Sequence, residues 1–171
     1  MARVIDDFNG KEILIVLGQN IRRARESCNM TFIELSAKSA YDRKELSKLE
    51  QGNLDIEFNT AVRLAQVLNV SFPDLFSRNF MVKQSNDNER FRQFREDDYL
   101  LVFIENFKRI CQIKRKQQLC AYSMTGIQEA DVSRIMQRKN SNPRIGTLYA
   151  IAFSIETELS AMFSRKMEGT E

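Results

Sequence analysis

Apolar positions recur at helical spacing through most of the chain. In the first half, Ile13, Leu17 and Ile21 are four residues apart and therefore lie on one face of a helix. Two capping-box patterns follow, in which a Thr or Asp precedes a Glu by three residues: Thr31–Glu34 and Asp42–Glu45. Because they start eleven residues apart, they predict two helices of about two turns each, separated by a tight turn.

The same pattern occurs a second time further along the chain. An offset of 86 residues, which one inserted residue later raises to 87, aligns the apolar run Ile13–Leu17 with Tyr99–Phe103. The identical pairs at these offsets include Asn20/Asn106, Ser47/Ser133, Gln51/Gln137 and Thr60/Thr147. The register predicts two copies of one unit, residues 6–78 and 99–165, joined by a polar linker over 79–98. The alternative is a chance likeness between two helical stretches.

The scarcity of turn-forming residues decides the fold class. The 171 residues include 6 Gly and 2 Pro, too few for the frequent turns of a β-sandwich or barrel. We therefore expect an all-α protein made of two tandem five-helix bundles. In the second bundle, Asn142 and Pro143 predict the start of the fourth helix, with Asn as the N-cap and Pro in the first turn.

Composition excludes several classes of function. The chain has no His, and its 3 Cys form no CxxC pair, so neither a Cys/His zinc site nor the commonest general base is available. It has no Gly-rich phosphate loop, and its longest apolar runs fall far short of a membrane span. No signal peptide opens the sequence. We expect a cytoplasmic protein that is not an enzyme, without a metal, cofactor, membrane or small-molecule site.

The two capped helices belong to a longer pattern. Residues 30–53 read MTFIELSAKSAYDRKELSKLEQGN, and residues 60–76 read TAVRLAQVLNVSFPDLF. This pattern resembles the Cro/repressor-type helix-turn-helix family, also called xenobiotic-response-element regulators. The matching positions are Leu35, Ser36, Ala40, Tyr41, Asp42, Leu46, Ser47, Leu49, Glu50 and Gly52. The second unit matches more weakly, at Ala121, Gly126, Ile127, Gln128, Val132, Ser133 and Ile135.

The turn between the two helices departs from the family pattern. Ala40 stands at the position where the family prefers Gly. Gly adopts a positive φ at no steric cost, whereas Ala in that conformation costs on the order of 1 kcal/mol. The substitution changes the expected cost of the turn and leaves the expected fold unchanged.

The resemblance implies that the second helix of the pair enters the DNA major groove, with its N-terminal residues toward the base edges. The candidate base-reading residues are Asp42, Arg43, Lys44, Ser47 and Lys48. Arg43 and Lys44 can donate hydrogen bonds to guanine O6 and N7. A solvated helix face is the alternative interpretation of the same residues.

The second unit differs from the first in charge. Its corresponding helix begins with Glu129 and Asp131, two acids that oppose binding to a polyanion. The stretch 103–144 nevertheless contains 9 basic and 3 acidic residues, whereas the stretch 17–58 contains 7 of each. Phosphate contacts supply affinity and base contacts supply specificity. The candidate phosphate-contacting residues are Lys114, Arg115, Lys116, Gln118, Arg134, Arg138, Lys139 and Arg144.

Two units in one chain bear on how the protein would meet DNA. Regulators of this family generally bind as dimers to two half-sites, and a chain with two units would act as its own pseudo-dimer. The apolar runs Ile13–Leu17 and Tyr99–Ile104 are longer than one helix face requires. We expect these runs to pack on each other or on the same runs of a second chain, as a homodimer. The alternative is a long first helix buried in its own unit.

The resulting hypothesis is a sequence-specific double-stranded DNA-binding transcriptional regulator, of the kind that the family contributes to bacteria, phages and mobile elements. The alternative is a helix-turn-helix scaffold for protein–protein interaction, in an accessory or antitoxin-like regulator. The acids Asp55, Glu57, Glu129 and Asp131 favour the alternative, because they lie where phosphates would approach. The dependence of affinity on salt concentration separates the two.

Overall fold

The computed structural model describes residues 8–82, 98–114 and 125–165. The first half of the chain contains α1 (Lys11–Ser27), α2 (Phe32–Ser39), α3 (Arg43–Glu50), α4 (Phe58–Leu68) and a 3₁₀ helix, η1 (Pro73–Phe76). The second half contains α5 (Asp98–Ile113), α6 (Glu129–Met136), α7 (Ile145–Ser154) and α8 (Leu159–Met162). No strand occurs within these ranges, so the all-α prediction is confirmed.

The start of α2 follows the capping-box prediction. Thr31 Oγ1 accepts a hydrogen bond from the Glu34 backbone N at 3.2 Å, and Glu34 Oε2 accepts one from the Thr31 backbone N at 2.7 Å. These bonds satisfy two of the backbone donors that a helix start leaves unpaired. The hydrogen bond from the Thr31 backbone also lowers the pKa of Glu34. The predicted box is therefore confirmed on both sides.

The start of α3 follows its prediction only in part. Asp42 Oδ1 accepts from the backbone N of Lys44 at 2.8 Å and of Glu45 at 3.1 Å, which confirms Asp42 as the N-cap. Glu45 does not complete the box, because its carboxylate accepts from Lys48 Nζ at 2.8 Å instead. Glu45 thus pairs with Lys48, three residues later on the surface of the same helix.

The turn between α2 and α3 has the backbone conformation that the sequence predicts. Ala40 adopts φ 52° and ψ 37°, the left-handed region that an Ala side chain disfavours. At the corresponding position of the second half, 86 residues later, Gly126 adopts φ 74°. The left-handed conformation is therefore adopted in the second half by Gly126, a Gly that favours it, and in the first half by Ala40, whose side chain makes it strained.

The prediction that Asn142 and Pro143 start the fourth helix of the second half is wrong. That helix, α7, begins at Ile145. The physical reason is that both residues serve the first half of the chain instead. Asn142 Oδ1 accepts from the Asn59 backbone N at 2.9 Å, and the Pro143 carbonyl accepts from the Phe58 backbone N at 2.8 Å.

The hydrophobic core is shared between the two halves. Leu46 and Phe58 of the first half and Phe103 and Phe163 of the second belong to one continuous cluster of buried side chains. The ring of Phe163 lies 4.8 Å, centroid to centroid, from that of Phe72. Residues 83–97 lie outside the described residues, so the domain boundaries at 6–78, 79–98 and 99–165 stay predictions.

The two long apolar runs are buried only in part, at two of the five residues in Ile13–Leu17 and at four of the six in Tyr99–Ile104. In the first run Leu17 is fully buried, and Ile15 is 44% exposed. The helix that carries this run, α1, packs against α3, α4 and η1 of its own half and against α7 of the other. In the second run, Tyr99 lies with its ring 4.8 Å from that of Phe72. No helix in the described ranges is both long and apolar enough to cross a membrane.

Candidate nucleic-acid interface

The helix predicted to read bases, α3, is fixed to the rest of the first half by its buried face and its C-terminal end. Leu46 and Leu49 are fully buried. Arg25 donates from Nε to Glu50 Oε1 at 2.6 Å and from Nη2 to Glu50 Oε2 at 2.9 Å. The same guanidinium lies 4.3 Å above the ring of Phe32. One largely buried ion pair thus joins α1, α2 and α3 and orients the exposed face of α3.

The first turn of α3 presents two cations to solvent. The side chains of Arg43 and Lys44 are exposed. Among the described residues, neither side chain has a hydrogen bond or an ion pair within the protein. Both cationic groups therefore remain available to an outside acceptor, at the end of the helix that enters the groove in this motif.

The other predicted base-reading residues have partners inside the helix. The carboxylate of Asp42 caps α3, as described above. Ser47 Oγ accepts from Gln51 Nε2 at 3.4 Å. Lys48 pairs with Glu45 on the helix surface, and that hydrogen bond raises the pKa of Lys48. A direct base contact by any of these three would have to share or replace an existing bond.

The corresponding helix of the second half, α6, has Glu129 at the position of Arg43, Ala130 at that of Lys44 and Asp131 at that of Glu45. Glu129 and Asp131 lie in its first turn. Asp131 is within 3.7 Å of Arg134, a predicted phosphate contact, in an exposed pair. Gln128 stands at the N-cap position without making a side-chain cap bond. The two helices therefore have the same length, and the first turn of α6 lacks the two cations that α3 carries there.

The predicted phosphate-contacting residues fall into three groups. Arg138 and Lys139 are exposed at the end of α6, with Arg138 at φ 58° where the first half has Gly52. Lys114 is engaged, because its Nζ donates to the Ile155 carbonyl at 2.7 Å. Arg144 is also engaged, and donates to the Asp55 carbonyl at 2.7 Å. Those that lie outside the described residues are Arg115, Lys116 and Gln118.

The segments that precede α4 and α7 run antiparallel to each other and join the halves. The Phe58 backbone N donates to the Pro143 carbonyl at 2.8 Å, and the Ile145 backbone N donates to the Ile56 carbonyl at 2.9 Å. Glu57 and Arg144 form an isolated antiparallel bridge between these bonds. At the offset of 87 residues, Phe58 corresponds to Ile145, Ile56 to Pro143 and Glu57 to Arg144. The two hydrogen bonds are therefore equivalent to each other, and the bridge is equivalent to itself.

Side-chain caps repeat this exchange. Asn142 Oδ1 accepts from the backbone N of Asn59 in the first turn of α4, at 2.9 Å. Asp55 Oδ1 accepts from the backbone N of Gly146 in the first turn of α7, also at 2.9 Å. Asp55 corresponds to Asn142, and Asn59 to Gly146. Each half thus supplies a cap for the N-terminal turn of a helix in the other, Asn142 for α4 and Asp55 for α7.

This role of Asp55 as a cap is not predicted by the sequence, where Asp55 is expected to be an acid that repels phosphate. Burial raises the pKa of Asp55, while the Gly146 backbone N–H and the Arg144 guanidinium act in the opposite direction. Glu57 is engaged in the same contact, because its Oε2 accepts from Asn142 Nδ2 at 2.7 Å. The signal that would have found the caps is that Asp55 and Asn142 occupy the same position of the two copies.

A buried amide is used in the same way in both halves. Asn20 Nδ2 donates to the carbonyls of Leu75 and Ser77 at 3.0 and 2.8 Å. Asn106 Nδ2 donates to the two carbonyls at the end of α8 that correspond to these, both at 3.0 Å. The identical pair in the sequence is therefore also a pair in geometry.

Comparison with known proteins gives a family match within the first half of the chain. No curated protein matches the sequence, and no solved structure matches the fold. A family model described as helix-turn-helix matches residues 21–75, a range that contains α2, α3 and α4 in full.

Proposed function

We propose that the protein is a sequence-specific double-stranded DNA-binding transcriptional regulator in which α3 enters the major groove. The observation that carries the proposal is the first turn of α3, where Arg43 and Lys44 are exposed without partners in a helix pair that matches the helix-turn-helix family. Arg and Lys at this place can donate to guanine O6 and N7, the commonest specific contact in the major groove.

The second half acts as a divergent copy of the same unit, and the two copies form a pseudo-dimer within one chain. Reciprocity supports this part of the proposal, because Asp55 caps Gly146 while their counterparts, Asn142 and Asn59, make the same bond in the other direction. A contact in which residue i meets j and j meets i is characteristic of a two-fold interface between identical subunits. Arg134, Arg138 and Lys139 then supply phosphate contacts from the second copy.

A pseudo-dimer with unlike reading helices requires an asymmetric operator. At the equivalent positions of the first turn, α3 carries Arg43, Lys44 and Glu45, whereas α6 carries Glu129, Ala130 and Asp131. Carboxylates accept from cytosine N4 and repel phosphates, so the two copies would prefer different sequences. Two-fold related units of this motif contact half-sites about one helical turn apart, roughly 10 base pairs.

The test is a selection of bound duplexes from a randomised DNA pool, with the full-length protein near physiological salt. Two unlike half-sites about 10 base pairs apart would support both the reading helix and the pseudo-dimer. One half-site would support α3 and contradict base reading by α6. A pool that stays unenriched, with protein whose circular dichroism shows a folded helical chain, would contradict DNA reading altogether.

A second candidate function is a protein-interaction scaffold, and the acidic first turn of α6 favours it. The other two acids that favoured it in the sequence, Asp55 and Glu57, bind the opposite half instead. DNA binding that releases counterions weakens steeply as salt rises, whereas a shallow salt dependence with a protein partner would favour the scaffold.

Association of two chains through the apolar runs is a separate proposal. Ile15 is 44% exposed on α1, and the buried residues of its run are Ile13 and Leu17. If the runs form an interface between chains, Ile15→Lys combined with Leu101→Lys should lower the mass measured by analytical ultracentrifugation. Unchanged mass and unchanged melting temperature would contradict this interface.

A further inference from the structure

The packing of the two halves creates the same groove twice. One groove lies between α1 and α7, and the other lies between Tyr99 of α5 and the face of α4. Most of the residues that line the α4 groove have a counterpart, at the offsets of 86 and 87, among the residues that line the α1–α7 groove, which has the longer lining. The corresponding pairs, with the α4 groove first, are Val62 and Tyr149, Gln66 and Phe153, Val70 and Thr157, Phe72 and Leu159, and Tyr99 and Ile13.

The two grooves differ in free volume, and the α4 groove has larger rings at two of the equivalent positions. In the α4 groove, the rings of Phe72 and Tyr99 lie 4.8 Å apart and leave about 50 Å³. In the α1–α7 groove, the smaller Leu159 and Ile13 stand at these positions, and the cavity measures about 340 Å³. A volume of this size falls at the lower end of the range of small-molecule sites, about 300–1,000 Å³.

The walls of the open groove are apolar and its rim is polar. Its floor consists of Ile13, Phe76 and Leu159, each at most 5% exposed. Tyr149 and Phe153 form an aromatic wall, with ring centroids 6.2 Å apart. Phe8 supports this wall from behind, because its ring lies 5.7 Å from Tyr149 and 5.0 Å from Phe153.

The charges of the rim favour a cation. Three carboxylates lie there, on Glu12, Glu156 and Glu158, against one guanidinium, on Arg78. Glu12 Oε2 accepts from Arg78 Nη2 at 3.1 Å and from the Tyr149 hydroxyl at 3.4 Å. Glu156 is engaged beyond the groove, where Lys114 Nζ lies 3.8 Å from its Oε2, so within the described residues the rim keeps the carboxylates of Glu12 and Glu158 against the guanidinium of Arg78. An ammonium group would restore neutrality and could also lie against the aromatic wall.

We propose that the groove between α1 and α7 binds a small molecule with a compact aromatic body and one ammonium group. The body fills the space that Phe72 and Tyr99 fill in the other groove, and the ammonium lies at the carboxylate rim beside Glu12. The site lies between the two halves, so an occupant contacts both of them. The proposal depends on the packing of the halves and does not depend on whether the protein binds DNA.

The test compares three ligands that share an indole ring and differ in charge: tryptamine, the neutral indole-3-ethanol and the anion indole-3-acetate. Isothermal titration calorimetry with the full-length protein should show one site for tryptamine. Binding of indole-3-acetate should be at least about tenfold weaker, the change that corresponds to roughly 1.4 kcal/mol. Absence of tryptamine binding at millimolar concentration, or equal affinity for amine and acid, would overturn the proposal.

A graft from the other groove supplies the matched variant. Ile13→Tyr with Leu159→Phe reproduces the pair that fills the α4 groove and should abolish tryptamine binding. Ile33→Tyr, on the exposed surface of α2, adds the same ring elsewhere and should leave binding unchanged. Tryptamine binding that survives in a folded graft variant would overturn the location.

A second variant removes charge without adding volume. Glu12 is about half exposed, so Glu12→Gln is compatible with the fold. It should weaken tryptamine several-fold and leave indole-3-ethanol unchanged. An equal change for both ligands, or none for either, would contradict the role of the rim.

Discussion

At the N-terminus of α3, one acid is committed to the helix and two cations are not. Asp42 caps the helix, whereas Arg43 and Lys44 have no partner in the described chain. Arg43→Ala should therefore cost DNA affinity without a cost in folding. We expect a loss of about 1–3 kcal/mol in binding, with relaxed preference at one base pair.

The measurement for Arg43→Ala is binding to the selected operator and to its single-base variants. Lys108→Ala, an exposed Lys on α5, removes the same charge away from α3 and serves as the control. If Arg43→Ala and Lys108→Ala reduced affinity equally for every sequence, Arg43 would be a phosphate contact and not a base reader.

The left-handed turn residue gives a second prediction at this scale. Ala40 at φ 52° and Gly126 at φ 74° meet the same requirement with different residues. Ala40→Gly should raise the free energy of unfolding by up to about 1 kcal/mol, and Gly126→Ala should lower it by about 1 kcal/mol. Among the described residues, a Cβ at Gly126 would meet no atom within 4 Å, so the expected cost is that of the left-handed backbone. Urea denaturation measures both, and a change of the same sign in the two variants would contradict the explanation.

At the scale of the elements, local sequence patterns predicted the caps that form within a single helix. The caps at Thr31 and Asp42 are local, since donor and acceptor lie within three residues, and the sequence located both. Asn142 is also of a residue type that commonly caps helices and lies just before α7, but it caps α4 in the other half. Sequence spacing does not say which helix a polar side chain will cap when two helix starts meet in space.

The exchanged caps make the link between the halves depend on pH. The folded protein raises the pKa of Asp55 through burial, so the native state holds this proton more tightly than the unfolded chain does. Stability from this group is therefore greatest at low pH and falls as pH rises from the unfolded pKa through the folded one. Above that window the buried charge is a constant cost.

Asp55→Asn tests this sign with the residue that the second half uses at the same position. An Asn can still accept from Gly146 while it carries no charge, as Asn142 does for Asn59. The variant should be more stable than the natural chain at pH 7, and the difference should shrink as pH falls below the folded pKa. Thermal melts across that range measure it, and a less stable variant at pH 7 would contradict the assigned cost of burial.

At the scale of the whole molecule, the repeat stays a prediction, and its register does not say how the halves combine. The matched pairs, such as Asn20 and Asn106, follow from the register alone. The shared core does not follow from the register, because the sequence pattern of an apolar position is the same whether its side chain packs in its own bundle or against the other one. Phe163 illustrates this, since helical spacing assigns it to the end of its own unit while its ring also contacts Phe72 and Phe76.

A shared core predicts that the two halves unfold together. Phe163 is 2% exposed, with its ring centroid 4.8 Å from Phe72 and 5.5 Å from Phe103, one in each half. Separate bundles on a linker would melt independently, whereas a common cluster and exchanged caps couple them. Differential scanning calorimetry should show one transition whose calorimetric and van't Hoff enthalpies agree.

Phe163→Ala tests whether the shared core couples the unfolding of the two halves. Removal of a buried Phe ring costs about 3–5 kcal/mol, and here the lost contacts belong to both sides of the junction. The variant should melt at a lower temperature, still in one transition, while the exposed Ile113→Ala should change stability by less than about 0.5 kcal/mol. Two resolved transitions, with only the second half destabilised, would mean that the halves fold as independent bundles and that the contact at Phe163 contributes little to joining them.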